Sequence, residues 1–184
     1  MHEEFTDSDR NSVCIVGSKI YSVQMCHIYY TSYDLQQQCD TVNPHTHLDI
    51  MMCSPINEEG AEPYWYVRVL RVYHANIWVE NLVIPGAKNT RCMDFLWVHW
   101  FGEEPGYLSG FHRACLPKIG FVPSTDEFAF SFVNPANVVR GCHLIPAFNA
   151  GWSADLLPWP CSIARHFDPG DKDDKDWLNF YVNM

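Results

Sequence analysis

Between Pro63 and Ile84 the chain reads PYWYVRVLRVYHANIWVENLVI, with apolar residues recurring at every second position. That period places successive side chains on opposite faces of a strand. It sorts Trp65, Val67, Val69, Arg71 and Tyr73 onto one face and Tyr66, Arg68, Leu70 and Val72 onto the other. The run exceeds an ordinary strand, so a bend is expected at Ala75-Asn76. Pro85-Gly86 and the polar AKNTR should close it with a turn. FLWVHWF, residues 95–101, is the next strand, with Leu96, Val98 and Trp100 on one face. Phe95, Trp97, His99 and Phe101 take the other. Both faces are apolar, which predicts a central strand covered on both sides.

Residues 13–33, VCIVGSKIYSVQMCHIYYTSY, are rich in β-branched and aromatic residues and predict strands, with a turn at Gly17-Ser18. Residues 34–47 predict one short helical turn and a loop around Asn43-Pro44, and HLDIMMCS a further strand. SPINEEGAEP and GEEPGYLSG read as loops, and ACLPKIGFVP as a short strand with turns. NPANVVRGC should begin with a short helical turn, and HLIPAF is read as the last core strand. After Gly151 the prolines and DPGDKDDKD predict loop, ending in the apolar WLNFYVNM. That ending is expected either to pair back as a strand or to mark a chain cut short. No internal repeat or long amphipathic helix is visible. The expected organisation is a disordered terminus at 1–12 and one mostly-β domain at 13–184. Its core spans about 63–148, with N-terminal strands at 13–53 and a wrapping tail at 149–184.

Composition supports a folded domain. The 184 residues are 47% hydrophobic and 15% aromatic, enough to bury a real core. The net charge of −10 is unevenly placed. Residues 64–148 carry seven basic and six acidic side chains, a net of +1. Residues 1–63 carry two and ten, and residues 149–184 three and six, so the acidity lies in the flanks. This argues against duplex nucleic acid, whose phosphates require clustered Lys and Arg. No apolar stretch reaches the roughly 18–20 residues that span a bilayer, and the start lacks a secretory apolar run. The eight cysteines are scattered, which together with the missing signal predicts reduced thiols and an intracellular, nuclear or cytoplasmic protein.

The order of three pieces resembles a bromo-adjacent homology (BAH) domain. They are Tyr66-Val67-Arg68-Val69, then Val98-His99-Trp100-Phe101 before Gly102-Glu103-Glu104-Pro105, then Val139-Arg140-Gly141-Cys142-His143-Leu144. In that family the matching pieces are a strand near YVARI, a strand ending in V-x-W-F before an acidic or proline-rich loop, and a later I-x-G-x-C-x-V strand. The resemblance covers about residues 63–148 and implies a partly open, SH3-like β-barrel that binds proteins, often in chromatin. A second resemblance spans nearly the whole chain. YTSYDLQQQCDTVNPHTHLDIM, EPYWYVRVLRVYHANIWVE, MDFLWVHWFG, GFVPSTDEFAFSFVNPANVVRGCHLIPAF and DWLNFYVNM are similar to an uncharacterised module of mushroom-forming fungi. That module occurs in proteins derived from transposable elements of the Plavaka and KDZ type. It runs slightly beyond YVNM, which implies a fragment or a decayed copy here. It often carries basic residues where this chain has His45 and His99, which speaks against those histidines as ligands.

The best metal candidate is PHTHLDIMMC, where His45 and His47 at i, i+2 would share one side of a strand near Cys53. The C-x₂₋₄-C spacing of zinc fingers and ribbons is absent, so no metal or other cofactor is expected. There is no G-x-S-x-G elbow, and Gly17-Ser18-Lys19 lacks the upstream glycine of a phosphate loop. Glu58-Glu59 and Glu103-Glu104 read as solvated loop acids. The remaining signal is aromatic. Trp65, Tyr73 and Trp97 on neighbouring strands are candidates to stack on a lysine or methyl-lysine, while Trp100 is expected to be core. The sequence therefore predicts a non-catalytic module that binds a protein or a basic peptide. Its alternatives are a small metal-dependent enzyme or zinc-stabilised domain using His45, His47 and the scattered Cys and His residues, and a fragment without independent function.

Overall fold

The computed structural model describes residues 6–32, 34–55, 63–79, 90–109, 115–153 and 176–183. Among these, the chain is mostly β, as the alternation predicts. Its elements are α1 (Asp7–Asn11), β1 (Val13–Val23), β2 (Cys26–Thr31), β3 (Gln37–Val42), β4 (Asp49–Cys53), β5 (Tyr64–Val79) and β6 (Arg91–Glu103). They continue as β7 (Lys118–Phe121), β8 (Phe130–Val133), β9 (Val138–Gly141), β10 (His143–Pro146), β11 (Trp152–Ser153), β12 (Asp176–Trp177) and β13 (Asn179–Asn183). One sheet runs β10-β13-β7-β6-β5-β4-β9, with β1 added on β5 and β8 on β6. Its end strands β10 and β9 do not pair with one another, so the sheet is open and not closed into a barrel.

The antiparallel pair β5–β6 is the spine of this sheet, as predicted for 64–73 and 95–101. The Pro85-Gly86 turn, Glu58-Glu59 and residues 154–175 of the predicted tail lie outside the described residues. On one face of the spine Val67, Val69, Val72, Leu96 and Val98 pack beneath Ile28 and Val42 of the β2–β3 hairpin. On the other, Tyr66, Leu70 and Phe101 meet Ile119 and Phe121 of β7 and Phe180 and Val182 of β13. FLWVHWF is therefore covered on both sides, with its alternation as predicted. The terminal apolar segment also pairs back, β13 lying between β10 and β7.

The differences from expectation have local causes. In β5, Val69 faces Val98 but Arg71 already faces Trp97, so one extra residue is inserted at Leu70. Such a bulge reverses the alternation beyond it. Val72 accordingly joins Val67 and Val69, and Tyr73 turns to stack on Phe95 at 5.5 Å. Ala75-Asn76 does not break the strand, because both residues remain paired with β6. Gly17-Ser18 is not a turn between strands. Both residues take positive φ (64° and 53°) and form an irregularity inside β1, where the register with β5 shifts. Residues 37–42 form β3, paired with β2, instead of a helical turn. HLIPAF supplies β10, a half-exposed edge, and β13 is the last strand. Asp7–Asn11 form the short α1 within the segment predicted to be disordered. The expected turn at Asn134-Pro135 is present as a 3-10 helix over Pro135–Asn137, capped by the Asn134 side chain.

Candidate functional site: an aromatic cleft beside strand β8

Trp65 near the start of β5 and Trp100 on β6 project to the same face of the spine. Their rings meet edge to face, 5.4 Å apart at 88°. Val67 and Trp100 are directly opposite in the ladder, which brings Trp65 within reach of Trp100. The two indoles form one wall of a cleft of about 570 Å³ that also takes in Phe101, Val122, Asp126, Phe128, Phe130 and Ser131. Trp100 is held by a hydrogen bond from its Nε1 to Ser131 Oγ at 2.7 Å. Asp126 is held by its own turn: its Oδ1 accepts the Phe128 N–H at 2.8 Å, and its carbonyl accepts the Ala129 N–H at 3.1 Å. Phe128 is 73% exposed and Trp65 36%. No basic residue lines the cleft among the described residues. The lining is thus aromatic faces beside a fixed carboxylate, a chemistry suited to an organic cation.

The three predicted aromatics do not converge. Trp65 lines the cleft, whereas Tyr73 and Trp97 lie on the opposite face. There Tyr73 stacks on Phe95, and Trp97 lies 5.7 Å from Phe130 and 4.8 Å from Phe132. The bulge at Leu70 is the reason Tyr73 leaves the face of Trp65. Trp100, expected to be core, is only partly buried and forms the cleft wall. Asp126, Phe128 and Ser131 belong to no recognisable motif in the sequence. Their signal was the alternating Phe128, Phe130 and Phe132 of FAFSF.

The expected histidine pair is not on a strand. Pro44, His45 and Thr46 form a turn between Asn43 and His47, the His45 N–H bonds Asn43 Oδ1, and Cys53 sits at the far end of β4. Among the described residues no three His, Cys, Asp or Glu side chains are grouped to hold a metal ion. Burial, with a smaller contribution from Asp49, pushes the Cys142 thiol up to about 12. Burial, followed by Asp94, pushes Cys26 up to about 11. Both remain protonated at neutral pH, so neither is an activated nucleophile.

A second cavity, of about 310 Å³, is polar and lies between β3, β4 and β9. Three of its four lining Asp and Arg charges, those of Asp40, Asp49 and Arg68, are already engaged. Arg68 bonds Asp49 through Nε at 2.9 Å and Nη2 at 3.3 Å, and Asp40 accepts the Gly141 N–H at 2.8 Å. Arg68 also reaches Asp176 at 3.7 Å and lies over the rings of Phe121, Phe180 and Phe101 at 4.9, 5.1 and 5.6 Å. This cluster ties β4, β5 and β12 together and is a structural one. His99, opposite Arg68 in the ladder, is fully buried between Phe121 and Phe130. Its Nε2 donates to the Val122 carbonyl at 2.7 Å.

Comparison with known proteins gives no matching family model, no matching curated protein and no matching solved structure. The cleft has to be read from its own chemistry. Among the described residues no helix is long and apolar enough to cross a membrane.

Proposed function

We propose that the chain is a non-catalytic interaction module that holds a lysine or methyl-lysine side chain of a basic peptide in the Trp65–Trp100 cleft. The carrying observation is the edge-to-face indole pair beside the fixed Asp126 carboxylate, with no competing cation in the lining among the described residues. Aromatic faces attract an ammonium group within about 6 Å, and a methylated one loses less hydration on entry. The charge map supports the same partner at longer range, since a protein of net charge −10 attracts a cationic segment and repels polyphosphate. The BAH resemblance and the likeness to transposon-derived fungal proteins favour a chromatin or transposon setting for such a module. The long β5–β6 pair and the tryptophan at the end of FLWVHWF are compatible with a BAH-like core.

Titration with lysine-rich, trimethyl-lysine and acidic peptides, and with duplex DNA, at two salt concentrations tests this reading. The basic peptides should bind, should weaken as salt screens the attraction, and should lose affinity on Trp65→Ala. Equal binding of the acidic peptide or of DNA, or binding unaffected by Trp65→Ala, would overturn it.

A further inference from the structure

The cleft adjoins a sheet edge of unusual character. Strand β8 pairs with β6 on one side, and among the described residues no strand pairs on its other side. The Trp100 N–H donates to the Ala129 carbonyl at 2.9 Å, which sets the phase of the β6–β8 ladder. Antiparallel pairing alternates, so Ser131 and Val133 turn their backbone groups toward β6, while Phe130 and Phe132 turn theirs outward. Other outer strands of this sheet carry features that hinder strand addition. β1 carries Lys19 next to the irregularity at Gly17-Ser18, and β10 ends in Pro146. β9 is flanked by the β2–β3 hairpin, whose Asp40 takes the Gly141 N–H. Bulges, lysines, prolines and covering segments are the devices that prevent strand addition. β8, with the sequence FSFV and a regular register, has only its shortness.

We propose that the partner binds as an added β-strand along the outer edge of β8, with a lysine opposite Ser131 entering the cleft and apolar residues on either side of it. Main-chain hydrogen bonds to Phe130 and Phe132 would supply affinity, and alternate side chains specificity. Ser131 lies on the face of Trp100, to which it is bonded, so an incoming residue opposite it projects toward the cleft wall. The neighbouring residues project to the other face, where Phe132 is 64% exposed against Trp97 and Phe95. The charge of the occupant follows from Asp126 and Glu127, two exposed acids in the turn leading into β8. This inference rests on the cleft being a cation site.

The test uses the full chain and a short peptide with Val, trimethyl-lysine and Val at its centre. A second peptide carries N-methylated backbone amides at the positions that would bond to β8. The N-methylated peptide should bind at least about tenfold more weakly, since its ladder donors are gone. Phe132→Pro should weaken the unmodified peptide well beyond Phe132→Ala, because only proline removes the outward N–H. Equal binding of the two peptides, with Trp65→Ala still abolishing it, would overturn strand addition and leave the cation site standing. Failure of Trp65→Ala to affect either peptide would overturn the cation site. If Phe132→Pro fails to fold, the peptide comparison on the unaltered protein decides the matter alone.

Discussion

Replacing Arg68 by methionine should be among the most damaging single changes in this protein. The substitution keeps an unbranched stem among Phe101, Phe121 and Phe180, while removing the guanidinium that lies over their rings. It takes away the cation beside Asp49 and Asp176, whose side chains are 13% and 9% exposed. Breaking a buried pair from one side costs about 3–5 kcal/mol, because the remaining charge stays desolvated. The lost cation–ring contacts contribute about another 0.5–2 kcal/mol. We therefore expect a loss of roughly 3.5–7 kcal/mol, comparable to the whole stability of many domains. Urea unfolding followed by tryptophan fluorescence and far-ultraviolet circular dichroism measures it. Combining Arg68→Met with Asp49→Asn and Asp176→Asn should recover a large part of the loss, since the buried carboxylate charges facing that stem are removed as well. A cost below about 1 kcal/mol, the range of a solvent-exposed ion pair, would refute the view of Arg68 as a buried tie. So would a triple variant no more stable than the single one.

Burial holds the His99 imidazole below its ordinary range; the Val122 carbonyl opposes this, nearby Arg68 adds to it, and Asp176 opposes it. The folded state thus takes up this proton less readily than the unfolded chain. The resulting stability is complete above about pH 6.5 and is lost as the pH falls through the folded value. Denaturant midpoints compared at about pH 7.5 and 5.5 should drop less for His99→Gln than for the unaltered protein; an equal drop would count against this role. Gly120→Ala should destabilise by about 1–3 kcal/mol, because its Cβ would sit 3.0 Å from the Leu178 carbonyl oxygen and 2.9 Å from Asn179 Nδ2. An unchanged melting temperature would show that β13 can shift to admit it. Purified protein should contain no stoichiometric zinc, and a chelator should leave its melting temperature unchanged; one equivalent after gel filtration would revive the His45 and His47 site.

Alternation alone determined the β character of the chain and both faces of FLWVHWF. These follow from local periodicity, which a strand imposes whatever it packs against. The same periodicity misassigned Val72 and the partners of Tyr73, because the bulge at Leu70 belongs to the pairing of β5 with β6 and leaves no mark in either strand alone. Gly17-Ser18 was legible as special backbone, but only the ladder to β5 decides between a turn and an irregularity within β1. Arg68 was placed on the correct face, yet its burial depends on Asp49 and Asp176, 19 residues before it and 108 after. The cleft is the furthest from legible. Trp65 and Trp100 meet because β5 and β6 set them across one ladder, and Asp126, Phe128 and Ser131 arrive through a turn and a strand that pair with β6 from its other side. Residues far apart along the chain become one surface only through those non-local hydrogen bonds, and no local pattern encodes them.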